Sequence, residues 1–145
     1  MKRIHLLLGI VLAMGVTLGV FGSRMLIAQK PAQSPLKTGT VLQRTDLSGI
    51  KGMEAILVLR ELPPGAASGK HAQAGTEIVY IMDGSVIFEA QGKPPVTLKS
   101  GEAFHTTAGE VHEVKNASAT APGKALAFYV AKKGTPLEDL SKPVK

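Results

Sequence analysis

From residue 53 onward, apolar and polar side chains alternate in short runs cut by glycine and proline. The runs are 55–59, 77–82, 86–90, 96–98, 103–107, 111–115 and 126–130, and turn-forming residues such as Pro63-Pro64-Gly65, Asp83-Gly84, Ser100-Gly101 and Pro122-Gly123 separate them. Seven short strands at roughly 8–12-residue spacing predict an all-β sandwich or barrel, and no amphipathic helix of useful length interrupts them. Asp83-Gly84 predicts a hairpin between 77–82 and 86–90, because glycine accepts the positive φ of a tight turn. Within 77–82 the period of two puts Ile78, Tyr80 and Met82 on one face and Glu77, Val79 and Ile81 on the other. Glu77 is thus in line with two core-type residues, either hydrated at an edge by the barrel mouth or placed there for function. Tyr80, Phe88, Phe104, Phe128 and Tyr129 read as core aromatics, and Met53 and Met82 as flexible gap fillers.

The first segment has a different pattern. Lys2 and Arg3 precede seventeen residues, 6–22, that carry no charge. A basic start followed by an apolar run is the order of a secretory signal, and an all-round apolar segment does not suit a surface helix with one polar face. As a helix the run would rise about 25 Å against a hydrocarbon core of roughly 30 Å, so a membrane anchor would need residues 4–23. Two readings follow: a signal peptide removed near residue 28, favoured by length and flanks, or an anchor retained in the inner membrane. Either one places the remainder outside the cytoplasm, most simply in a bacterial periplasm, and leaves the membrane no other point of contact.

Composition narrows the rest. At 145 residues the chain is about one domain long. With no cysteine, disulfides, thiolate metal sites and cysteine nucleophiles are excluded. The net charge of +6 owes half its value to Lys2, Arg3 and Arg24, and beyond residue 28 there remain 14 basic and 11 acidic groups, with the lysines scattered singly. A nucleic-acid surface clusters its basic residues on one face with aromatics between them, so nucleic acid is not an expected partner.

Three histidines lie in the β region, and two of them sit in ordered spacings. These are Gly65-x5-His71-x-Gln73-x3-Glu77-x6-Gly84 and Gly101-x7-Gly109-x2-His112-x3-Asn116. The pattern resembles the cupin superfamily, whose two motifs read G-x5-H-x-H-x3or4-E-x6-G and G-x5-P-x-G-x2-H-x3-N. The resemblance implies an all-β cupin jelly roll, a double-stranded β-helix barrel, behind the N-terminal signal or anchor. The implied segments are the leader at 1–28, a linker and extended arm at 29–50, the barrel at 51–132 and a tail at 133–145. Carried over residue by residue, the metal ligands would be His71, Gln73, Glu77 and His112. Gln73 stands where the family has its second histidine, and Thr107 where it has proline.

Strand periodicity is compatible with that set. His71 and Gln73, two apart, project together; a hairpin partner can bring Glu77 near; and His112 would close the set from across the barrel. Two imidazoles and a carboxylate with open positions suit non-haem iron, with Mn, Ni, Cu or Zn as other occupants. The Gln73 amide oxygen is a weaker donor than imidazole. His105, outside the motifs, is either an acid or base near neutral pH or a partly exposed strand residue. Asn116 closes a turn. The resulting expectation is an exported protein holding one divalent transition metal and a small molecule, as an enzyme of dioxygenase, isomerase or lyase type. The alternative is a noncatalytic periplasmic small-molecule binding or sensing module with a degenerate metal site. Pairing into a homodimer is a further implication of the resemblance.

Overall fold

The computed structural model describes residues 39–136 and the backbone of 141–143. The leader and anchor readings fall on residues outside these. Among the described residues there is no helix, and so none able to cross a membrane. The described residues form ten strands: β1 (Thr40–Asp46), β2 (Met53–Leu62), β3 (His71–Gln73), β4 (Thr76–Asp83), β5 (Ser85–Ala90), β6 (Val96–Lys99), β7 (Ala103–Thr106), β8 (Val111–Asn116), β9 (Gly123–Lys132) and β10 (Ser141–Pro143). They form two five-stranded antiparallel sheets, ordered β1-β2-β9-β4-β7 and β10-β3-β8-β5-β6. The sheet ladders therefore include strands from the linker-and-arm segment and from the tail, one on each sheet.

The alternation read in the sequence decides which face is covered. In β9 every odd position from Gly123 to Ala131 is buried, and in β4 Glu77, Val79 and Ile81 are buried between exposed neighbours. Ile56, Val58, Val79, Ile81, Val86, Leu98 and Tyr129 meet between the sheets, with Phe88, Phe104 and Val114 packed against them. Alanines at 125, 127 and 131 keep this layer thin. The outward phase carries large apolar side chains as well. Tyr80 and Phe128, expected in the core, and Met82, expected to fill a gap, are exposed. They belong to the opposite phase of the same strands, where the pleat points them away from the core.

The Asp83-Gly84 hairpin does not form. β4 pairs with β7 and β9, while β5 pairs with β6 and β8, so Asp83 lies opposite Lys124 and Ser85 opposite Lys99. Gly84, at φ 79°, is the corner where the chain leaves one sheet for the other. A side chain there would also press on Gly123, since an added Cβ would lie 3.1 Å from its Cα. A local turn signal specifies that the chain bends; which strands then share hydrogen bonds is decided by burying the inward faces of β4 and β5 against each other.

Candidate metal centre

The polar residues of the interior come from two rows that face each other. In one sheet, β3 and β8 put His71 and His112 directly opposite one another, with Ala90 of β5 beside His112. In the other sheet, Thr106, Glu77 and Tyr129 form a row across β7, β4 and β9. All but Ala90 are polar, and all are buried. The expected strand geography is thereby corrected: His112 sits on the strand next to His71, and Glu77 is the residue that arrives from across the barrel. The hydrated-edge reading of Glu77 also fails, since it is 5% exposed.

The two imidazoles are held alike. His71 Nδ1 lies 2.9 Å from the Gly69 carbonyl oxygen, and His112 Nδ1 lies 3.1 Å from that of Glu110. A carbonyl only accepts, so each Nδ1 carries a proton, and in a neutral ring Nε2 then presents a lone pair. The rings are 4.3 Å apart and tilted by 59°. Burial lowers the His71 pKa, and the Gly69 carbonyl opposes this. Its ring is therefore neutral at physiological pH, the form that ligates a metal.

Gln73, also buried, stands among these groups. Its amide nitrogen donates to Glu77 Oε2 at 2.5 Å and lies 3.3 Å from His71 Nε2, the acceptor nitrogen of that ring. Thr106 Oγ1 donates to the same Glu77 oxygen at 3.4 Å. His112 Nε2 is buried with no hydrogen-bond partner among the described residues. It faces Glu77 Oε2 at 3.8 Å, beyond hydrogen-bond distance.

That arrangement is what a cation would resolve. Imidazoles fixed through Nδ1 to backbone carbonyls, with Nε2 turned to a shared space, are the usual preparation of metal-binding histidines. The donor chemistry of His71, Glu77 and His112 therefore fits a divalent transition metal. Among the described residues, however, no three His, Asp or Glu side chains stand as a ready metal cage. Within the set His71, Glu77 and His112, the Gln73 amide nitrogen bonds the first two.

Further residues surround this group that the motifs do not contain. Arg60 Nη2 donates to the Tyr129 hydroxyl at 2.5 Å. Burial, and then the Glu77 carboxylate, push the Tyr129 pKa upward, which keeps the phenol protonated. Phe88 and Phe104 stack at 4.3 Å, and Phe88 lies 5.6 Å from the His112 ring, giving an apolar wall. Arg60, Thr106 and Tyr129 all occupy the inward phase of their strands, the one signal in the sequence that could have singled them out. His105 occupies the outward phase of β7, opposite Ile78 and exposed, so it is not placed to act as an acid or base at this centre.

Comparison with known proteins agrees with the fold. A family model for the cupin domain matches residues 58–129. A conserved protein with a double-stranded β-helix domain from Klebsiella pneumoniae superposes with a TM-score of 0.56 at 17% identity, over 74% of this chain and 85% of that one. A cupin domain from Bordetella pertussis gives 0.53 at 20% identity, over 68% and 96%. The DMSP lyase DddQ from Ruegeria pomeroyi gives 0.48 at 24% identity, over 60% of this chain and 42% of its own. No curated protein matches the sequence.

Proposed function

This chain belongs to the cupin family, and from that premise we propose that it is an exported protein holding one divalent transition metal at His71, Glu77 and His112, beside which a small organic molecule binds. The observation that carries the proposal is the partnerless Nε2 of His112 facing the Glu77 carboxylate. A buried imidazole nitrogen left without a partner costs about 1–3 kcal/mol, and a cation at that point removes the cost. Bound there, a metal would polarise a carbonyl or hydroxyl oxygen of the ligand. The protein's own groups do the positioning. The Gly69 and Glu110 carbonyls fix the rings, Thr106 orients Glu77, and Phe88 and Phe104 keep water from one side.

The test is metal analysis of protein made without a histidine tag, stripped by chelation and titrated with Fe(II), Mn(II), Ni(II) and Zn(II). One ion per chain with a rise in melting temperature is expected, and His71→Ala should lose both. Absence of uptake with unchanged melting overturns the reading. The Gln73 amide, which already satisfies two of the acceptors, favours a second reading in which the barrel binds a small molecule without metal. Ligand binding that survives chelation would select it.

A further inference from the structure

We propose that Gln73 is a lock on the centre. Its amide nitrogen stands in for the cation, joining Glu77 to His71 until a metal displaces it, and so sets how tightly and how fast metal is taken up. The inference rests on the metal reading above and adds to it the residue that tunes metal affinity.

The geometry is specific to an amide. One nitrogen with two protons serves two acceptors at once, Glu77 Oε2 at 2.5 Å and His71 Nε2 at 3.3 Å. A neutral imidazole at position 73 that presented its own lone pair inward could serve neither. Glu77 is buried, and a buried carboxylate needs donors or a counter-charge. The Gln73 bond, made to a charged acceptor, is of the stronger kind. The amide thus lets the barrel close over Glu77 without a cation.

A metal arriving at His71 and Glu77 must break both bonds. The side chain can give way while its backbone stays, because the main chain of residue 73 is anchored. Gly109 N donates to the Gln73 carbonyl at 2.9 Å, and Ser141 of β10 pairs with the same residue. The lock therefore opens by rotation of one side chain within a fixed strand.

The experiment compares the native protein with Gln73→Leu, which keeps bulk and removes both donors, and with Gln73→His, which completes a four-donor set. Each is stripped and titrated with Zn(II) and Mn(II), and the melting temperature of the metal-free form is recorded. The lock predicts that Gln73→Leu binds Zn(II) at least tenfold more tightly and takes it up faster, while its metal-free form melts lower. Binding by Gln73→Leu that is equal or weaker overturns it, since the amide would then be a bystander or a ligand. Gln73→Met serves the same comparison should the leucine variant not fold. Failure of Gln73→His to bind either metal, together with the native protein, would sink the metal reading itself. Tight binding by Gln73→His without a gain in Gln73→Leu sinks the lock alone.

Discussion

His71 and His112 face each other across the β3–β8 ladder with their rings 4.3 Å apart and each Nδ1 held by a backbone carbonyl. The pair is built so that both remaining nitrogens share one space, and only that of His112 is left without a partner. Replacing His112 by Leu should therefore separate function from stability. It removes a buried unsatisfied nitrogen, worth about 1–3 kcal/mol, and one hydrogen bond, worth about 0.5–1.5 kcal/mol. The metal-free variant is expected to be as stable as the native protein or slightly more so, by urea denaturation, while metal uptake disappears.

Gly75 lies in the short turn between Gln73 and Glu77. A Cβ added there would overlap the Val130 carbonyl oxygen, a backbone atom that cannot swing aside. Gly75→Ala should cost more than about 2 kcal/mol, because β4 must shift from β9 to admit it. Thermal melting reads the loss. The same shift displaces Glu77, so metal affinity should fall in parallel.

Asn116 ends β8 as the tie between three loops. Its amide nitrogen donates to the carbonyls of Leu62, Pro63 and Ala121, and its oxygen accepts from Ser118 N. Asn116→Ala should cost about 2–4 kcal/mol, since it leaves buried carbonyls unpaired. Asn116→Asp should be at least as damaging, because it turns a carboxylate oxygen toward those same carbonyls. Equilibrium unfolding in urea distinguishes this from the small effect of an ordinary surface substitution.

Tyr129 gives a pH signature. Its pKa is raised above the ordinary value of 10.0, chiefly by burial and then by Glu77. The native state therefore keeps its phenolic proton in a range where the unfolded chain releases it. The contribution to stability is intact below about pH 10 and is lost as pH rises above that. Tyr129→Phe should flatten the part of the stability curve between pH 9.5 and 11, roughly the span over which an unfolded tyrosine ionises.

His105 provides the control. Exposed on the outer face of β7, it should tolerate Ala with a change within about 0.5 kcal/mol and no effect on metal uptake.

The β architecture was legible because alternation is a property of each strand alone. Positions 77, 79 and 81 could be assigned to one face, and 123–131 behaves in the same way, without knowing any neighbour. β1 was harder to see: all seven of its residues are exposed, so no buried phase marks it, and it forms by adding to the edge of β2. β3 has only three residues, too few for a period. The exposed Tyr80, Phe128 and Met82 show the limit of reading hydrophobicity without phase.

The amino-acid sequence by itself determined the strand content, the inward phase of Glu77, and the spacings that put His71, Gln73 and Glu77 on one segment and His112 on another. Only the tertiary structure decided that β4 and β5 part company at Gly84, that His71 and His112 are neighbours while Glu77 faces them, and that Tyr129 and Arg60 reach the same group. The physical reason is that facing and backbone bending are local, whereas the partner of each strand is set by burying every inward face at once.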